Sequence, residues 1–298
     1  DNFSPYLFKT ELMAYRSLAG DATMAFSASR HAGIMKATFP EADSLPHEFY
    51  DATRRISVVL NLLQQDGDFA EVLRKDNALE TVVIRGYSTQ NNGGIENPSS
   101  FKNHFVMAIY TGPNGDKPVA AKEVSNAEQN NRWQWADFSQ SVSDFTVRVG
   151  TSLISQEQAY LNLEQELGGK NFEALVQESK GEWEAQLQKM VVDEVGVSYT
   201  DAEAKDMKQV WYTAAFRSAL FPRQLSEIDS DGNEVHWSPY VSSSSSSSSE
   251  NGGDATVAVF SGPLSADSGF WDAYLTLYPL HSLINTDVLG PQMLTGWL

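Results

Sequence analysis

The 298-residue sequence has no cysteine, which excludes disulfides, thiolate zinc sites and a cysteine nucleophile. It is short of bases, with 21 Lys and Arg against 39 Asp and Glu, for a net charge of −18. A surface of that sign repels phosphate backbones, so no nucleic acid partner is expected. It lacks any apolar run long enough to cross a bilayer as a helix, so no membrane partner is expected either. There is no Gly-x-Gly-x-x-Gly, no phosphate loop and no Gly-x-Ser-x-Gly elbow. Histidines 31, 47, 104, 236 and 281 form no metal spacing; His47-Glu48 is followed by Asp51 where a zinc-protease helix needs its second histidine.

A hydrophobic content of 41% with 11% aromatics is that of a folded chain, and the length allows two domains. The chain opens on Asp1 rather than Met, so a processed chain or a fragment is expected. Asn2-Phe3-Ser4 is a glycosylation sequon, meaningful in a eukaryotic secreted protein.

Residues 1–150 read as β. Apolar runs at 56–63, 81–87, 103–110 and 144–150 alternate with turn signals at Asp66-Gly67-Asp68, Asn91-Asn92-Gly93-Gly94 and Pro113-Asn114-Gly115-Asp116. The 103–110 run alternates enough to predict a half-buried strand. Short strands with frequent turns predict a sandwich rather than βαβ units. From Ser155 the period changes. Ser155 is the N-cap of a helix, with Gln158 at the capping-box position. Ala159, Leu163 and Leu167, with Tyr160, form its apolar face, and Gly168-Gly169 ends it. Asn171 caps a second helix carrying Phe172, Leu175, Val176, Trp183 and Leu187. A third starts at Asp201 and repeats Met207, Val210, Trp211, Ala214, Ala215 and Ser218 before Pro222 stops it. Ser242 to Ser249 is a serine tract that cannot bury a core and is expected to be mobile, exposed and without chemistry. Asp229-Ser230-Asp231-Gly232-Asn233-Glu234 is a faint calcium-loop pattern, better read as a tight turn.

Gly269 to Leu280 packs four aromatics, one acid and a proline, Pro279, read as a helix stop. Two readings stand. Trp271 is core and Asp272 caps a helix or pairs with a backbone N–H. Alternatively, the Trp271 indole is a platform for a sugar face and Asp272 accepts from sugar hydroxyls, because a sugar ring has an apolar face and a polar rim.

This stretch resembles the Trp-Asp-Thr-Tyr-Arg-Thr segment of the glycoside hydrolase family 92 α-mannosidases. Asp272, Tyr274 and Thr276 match its Asp, Tyr and second Thr; Ala273 and Leu275 depart from it, and Leu275 replaces an arginine. Trp211 to Arg223 is similar to the family's Tyr-Thr-Ala-Leu-Tyr-Arg helix with its following Pro-Arg, and Val147-Arg148-Val149-Gly150-Thr151-Ser152 to its Val-Arg-Val-Gly-Ile-Ser strand.

The resemblance implies a multidomain α+β chain. Its parts would be an N-terminal antiparallel β-sandwich of the supersandwich type over 1–152, a helical linker over 153–200, and the start of an (α/α)6 toroid over 201–298. It implies exo-acting, inverting hydrolysis of terminal α-linked mannose, typically α-1,2, from mannose-containing glycans. It further implies calcium as cofactor, with ligands unassigned, and a secreted or extracytoplasmic location. Trp271 and Asp272, with Tyr274, would hold the mannose. The catalytic acid and base are expected beyond Leu298, so the remainder of such an enzyme is a further expected partner. The alternative is a non-catalytic sugar-binding or structural module on the same fold. An incomplete helical region should also leave apolar helix faces bare.

Overall fold

The computed structural model describes residues 2–12, 22–40, 53–60, 68–74, 81–89, 101–112, 114–125, 133–193, 200–238, 259–265, 270–286 and 289–296. The chain divides into two compact units, Asp1–Ser179 with Trp237–Val259, and Lys180–His236 with Phe260–Leu298.

The first unit holds twelve strands among the described residues: β1 (Asn2–Ser4), β2 (Leu7–Leu12), β3 (Ala22–Ala28), β4 (Ala32–Thr38), β5 (Arg54–Val59), β6 (Phe69–Arg74), β7 (Val82–Ser88), β8 (Asn103–Thr111), β9 (Lys117–Pro118), β10 (Glu123–Val124), β11 (Trp133–Phe138) and β12 (Asp144–Ser152). They form a large antiparallel sheet ordered β1-β2-β3-β4-β12-β8-β7-β6, with β9 on β8, and a small sheet ordered β10-β11-β5. The two sheets close on one core: Ile56, Ala136 and Phe138 from the small sheet meet Ile84, Ile109, Phe145 and Val147 from the large one. The expected antiparallel sandwich is therefore present. The turn signals at 66–67 and 91–94 lie outside the described residues, as does most of Ile56–Leu63 beyond β5.

One row of the large sheet shows how far that core extends. Phe3, Phe8, Phe26, Met35, Val147, Ile109 and Val82 are successive cross-strand partners. Val147, Ile109 and Val82 are buried under the small sheet; toward the β1 edge the row opens, and Phe3 is 70% exposed. Phe26 lies across Gly33, whose missing side chain leaves room for the ring.

The outer face is covered by α1 (Gln156–Leu167) and the start of α2 (Phe172–Leu187). Ala32 and Ile34 pack with Leu163, Leu167, Phe172 and Leu175, while Val83, Val106 and Ala108 pack with Ala159. This corrects the reading of 103–110 as a half-buried alternating strand. With a sheet on one side and α1 on the other, β8 is buried on both faces, so its apolar residues run on continuously. Ser155 caps α1 by accepting from the Gln158 N–H. The capping box is not closed: the Ser155 N–H donates to Ser152 Oγ at 3.3 Å, and the Gln158 side chain turns to Asn162, to which it donates at 2.9 Å. Ala159, Leu163 and Leu167 face inward as predicted, whereas Tyr160 lies on the exposed side. Asn171 caps α2 by accepting from the Ala174 N–H.

Val147-Arg148-Val149-Gly150 explains the close seat of α1. Val147 and Val149 point into the sandwich, leaving Arg148 and Gly150 on the helix side. A methyl group on Gly150 would run into the Ala159 carbonyl oxygen and lie 2.7 Å from Leu163 Cβ. Arg148 donates to the Lys170 and Leu167 carbonyls at 2.9 and 3.4 Å, at the C-terminal end of α1, where a cation is favoured. Gly150→Ala should cost about 1–3 kcal/mol by forcing α1 off the sheet, read as a fall in the urea midpoint.

Glu166 fastens α1 to the β3–β4 turn. It accepts from Ser29 Oγ at 2.5 Å, from the His31 N–H at 2.9 Å and from His31 Nδ1 at 2.9 Å. Burial pushes its pKa up, but the His31 and Ser29 bonds together outweigh burial and hold the carboxyl below the usual glutamate range. A depressed carboxyl contributes stability above its unfolded pKa and loses it as pH falls through the folded one. Wild type should therefore exceed Glu166→Gln by about 1–3 kcal/mol at pH 7. The gap should close as pH falls below about 4.5, followed by urea denaturation at each pH.

Candidate functional site

The second unit contains the last part of α2, a 3-10 turn (Gln188–Met190), α3 (Asp201–Ser218), strands β13 (Glu227–Ile228), β14 (Glu234–Trp237) and β15 (Val259–Ser261), then α4 (Phe270–Ala273), α5 (Leu277–Ile284) and α6 (Leu289–Thr295). Thr200 and Glu203 close a reciprocal capping box on α3, a signature visible in the sequence as Thr-x-x-Glu and not singled out there. Trp183 of α2 and Phe216 of α3 meet at 4.9 Å, and Trp211 Nε1 donates to the Met190 carbonyl. Of the predicted apolar stripe on α3, only Ala215 is buried; Met207, Val210 and Trp211 are exposed, in line with the expectation of bare helix faces.

The residues of interest sit on α4 and the turn after it. Ala273 is the buried anchor of that short helix. Thr276 N–H bonds back to the Ala273 carbonyl and Thr276 Oγ1 donates to the Asp272 carbonyl at 3.3 Å, which holds the turn tight. With Ala273 facing in, its neighbours face out. Trp271 is 82% exposed, which overturns the reading of it as core. Trp271 and Tyr274, three apart on one face, place their rings 6.0 Å apart at 46°. The Asp272 side chain is exposed beside them, and among the described residues nothing donates to its carboxylate. Its capping role therefore has no bond behind it. Leu275, where the resembling family has arginine, is also exposed. Trp271, Asp272 and Tyr274 are thus all exposed, the two rings are neighbours on one face, and among the described residues the Asp272 carboxylate has no donor. Such a set can take the apolar face and hydroxyl rim of a sugar.

Pro279 does not stop a helix here. It sits in the first turn of α5, where its missing N–H is an orphan anyway. What fixes α5 is a polar relay, exposed at Lys189 and buried at Asn285 and His281, that the sequence reading missed. Lys189 Nζ donates to Asn285 Oδ1 at 2.7 Å, Asn285 Nδ2 donates to His281 Nδ1 at 2.7 Å, and His281 Nε2 donates to the Phe221 carbonyl at 2.8 Å. The directions follow from the ends: an ammonium can only donate and a carbonyl can only accept. His281 is thus a packing histidine, and the one available signal was the i, i+4 pair His281/Asn285. Asp229 also has a structural role. It accepts from the N–H groups of Asn233 and Asp231, and the Asn233 bond first among these holds its carboxyl below the usual range. Gly232 adopts φ 84° in the same turn. This is the tight turn predicted for 229–234. Among the described residues no three His, Asp or Glu converge to hold a metal ion.

Residues 158–297 match the model of the glycosyl hydrolase family 92 catalytic domain. The resemblance to family 92 stands. The matched stretch runs from α1 through α6 and includes Trp271, Asp272 and Tyr274. A family GH92 inverting mannosidase from Bacteroides thetaiotaomicron VPI-5482 has the same fold, at TM-score 0.63 and 20% identity, over 93% of this chain and 36% of that one. A GH92 family glycosyl hydrolase aligns at TM-score 0.60 and 17% identity, over 91% and 32%. A family GH92 α-mannosidase from Bacteroides thetaiotaomicron, also solved in complex with mannoimidazole, aligns at TM-score 0.55 and 18% identity, over 95% and 36%. The chain spans about a third of the length of these family 92 structures. No curated protein matches the sequence.

Asn285→Ala should cost the second unit about 1–3 kcal/mol, since it leaves Lys189 and His281 without their bridge. Hydrogen exchange in α5 is the direct readout, and it should speed up there while α1 stays protected.

Proposed function

We propose that this chain is part of a family 92 exo-α-mannosidase that hydrolyses terminal α-linked mannose, typically α-1,2, with inversion. The observation that carries the reading is the exposed Trp271–Tyr274 pair, with Asp272 exposed next in sequence to the indole, inside the stretch that matches the family model. In this reading Trp271 stacks on the terminal mannose, Asp272 accepts from two of its hydroxyls and Tyr274 lines the same face. Their part is binding and orientation, which holds the glycosidic oxygen where acid catalysis can reach it.

Inverting hydrolysis needs two carboxyl groups about 6.5–9.5 Å apart, one protonating the leaving oxygen and one activating water. This reading places that pair, and the ligands of the calcium ion, outside the described residues. A (α/α)6 toroid begun by the helices from α3 onward and an extracytoplasmic location belong to the same proposal. Leu275 favours a second reading, a module that binds mannose without cleaving it, because an exposed leucine stands where the family carries a charge.

The full-length protein should release mannose from α-mannobiose. Replacing a carboxylate that accepts hydroxyl hydrogen bonds removes about 1.5–3 kcal/mol, so Asp272→Asn should lower kcat/KM by about 10- to 100-fold. An undiminished Asp272→Asn enzyme overturns the assignment. Mannose binding without release, lost in the same variant, decides for the second reading.

A further inference from the structure

We propose that the relay of Lys189, Asn285 and His281 is a proton-operated latch for the Trp271–Tyr274 surface: it closes on a neutral imidazole and opens when that ring takes a second proton. The directions of its bonds carry the inference. Lys189 Nζ can only donate, so it holds the Asn285 side-chain oxygen at 2.7 Å and turns the amide NH2 toward His281. His281 Nδ1 must then present its lone pair, at 2.7 Å, while Nε2 carries the proton donated to the Phe221 carbonyl at 2.8 Å. An imidazolium has N–H on both nitrogens. Its Nδ1–H would meet the Asn285 NH2 donor against donor, and turning the amide over would set that NH2 against the Lys189 ammonium. Neither arrangement of the amide serves both neighbours.

The surroundings offer a second proton no relief. His281 is 3% and Asn285 0% exposed, so water does not replace the lost bond. The titratable side chains of α5 are Tyr278 and His281 itself, and α6 has none. Of the other segments bonded into the relay, the 3-10 turn brings the Lys189 ammonium, and the stretch that supplies the Phe221 carbonyl is flanked by Arg217 and Arg223. Among the described residues no carboxylate bonds to His281 or Asn285. The relay reaches the surface along the chain. The Asn285 N–H bonds to the His281 carbonyl and the Gly290 N–H to the Asn285 carbonyl, so the relay sits where α5 ends and α6 is tied on. At the other end of α5, the Leu280 N–H bonds to the Thr276 carbonyl, the Thr276 N–H to the Ala273 carbonyl, and Thr276 Oγ1 to the Asp272 carbonyl. Release of α5 therefore loosens the turn that carries Trp271 and Tyr274. That this surface binds mannose rests on the proposed function; the latch itself does not.

The sign follows from linkage. Only the open form takes the second proton, so the latch holds above pH about 6.5, where an accessible imidazole titrates, and weakens as pH falls. One unit below that, the open population has grown about 10-fold. The test is hydrogen exchange of the full chain at pH about 7.5 and about 5.5, on either side of that value, corrected for the intrinsic pH dependence of exchange and with α1 as internal control. In wild type, protection of α4 and α5 should fall about 10-fold at the lower pH while α1 stays protected. Asn285→Asp supplies a carboxylate that accepts from both Lys189 Nζ and a protonated Nδ1, so the fall should disappear. Lys189→Met, a change at an exposed side chain, frees the amide to turn its oxygen to an Nδ1–H, so the fall should shrink. With α-mannobiose as substrate, the wild-type KM should rise over the same interval and that of Asn285→Asp should not. A KM that stays level while protection falls supports the latch and counts against Trp271 as the mannose contact. Equal protection of α5 at both pH values in wild type overturns the proposal, as does a fall that persists undiminished in both Asn285→Asp and Lys189→Met.

Discussion

The first unit depends on how closely α1 can approach β12, and that distance is set by Gly150 having no side chain. With the helix seated there, Ala159, Leu163 and Leu167 bury against three strands of the large sheet. Each buried leucine contributes about 1.5–3 kcal/mol. Lifting the helix by a methyl's width loosens all of these contacts together, since tightly packed contacts weaken steeply with separation. The polar ties follow the same seat. Arg148 reaches the carbonyls at the end of α1, and Glu166 reaches the β3–β4 turn. A sheet buried on one face by a second sheet and on the other by a helix has little freedom to slip, because a one-residue shift would turn Arg148 into the apolar core.

The second unit is held differently. Its helix α3 buries only Ala215, and much of its ordering comes from directional bonds: the Thr200 capping box, the Trp211 indole, and the relay from Lys189 through Asn285 and His281 to Phe221. Hydrogen bonds with fixed donors and acceptors specify geometry more than they add stability. That suits a region whose exposed residues must be held in place. Among the residues of α4 whose burial is described, Ala273 is the buried one, and the Thr276 turn ties the helix to α5. The relay that fixes α5 therefore also positions Trp271 and Tyr274, although none of its members faces them in the sequence.

Much of this was legible in the residues themselves. Ser155, Gly168 and Asn171 marked helix ends because their cap chemistry is local, and the buried positions of α1 followed from spacing alone. The errors came where a distant element decided. Tyr160 has the right spacing to be counted with the apolar face, yet it falls at the rim that the sheet does not cover. The 103–110 strand was read as half-buried because nothing in it announces that α1 lies across its second face. Pro279 looked like a stop because proline ends helices more often than it opens them, and the Thr276 turn that puts it in a first turn depends on Ala273 being buried. For the site, the cluster Trp271, Asp272 and Tyr274 was nameable from sequence, but its exposure was not. Whether a tryptophan is core or platform depends on which neighbour anchors the helix.

Three segments carried the family resemblance, and they divide by whether their side chains are already engaged. In Val147-Arg148-Val149-Gly150 each residue packs or bonds internally: two valines in the sandwich, an arginine donating to the end of α1, a glycine under it. In the Trp211 to Arg223 segment the indole N–H is bound to Met190, Phe216 meets Trp183, and the Phe221 carbonyl closes the histidine relay. Sequence similarity in such segments reports a shared fold, because packing alone is enough to require those residues. The Trp271 stretch differs. Ala273 is buried there, and an alanine asks little of its neighbours, while Trp271, Asp272 and Tyr274 are exposed. Exposing an indole, and a carboxylate to which no described residue donates, brings no folding advantage. An exposed indole and carboxylate are open to a ligand in a way that engaged side chains are not, so the proposed function rests on this stretch rather than on the other two.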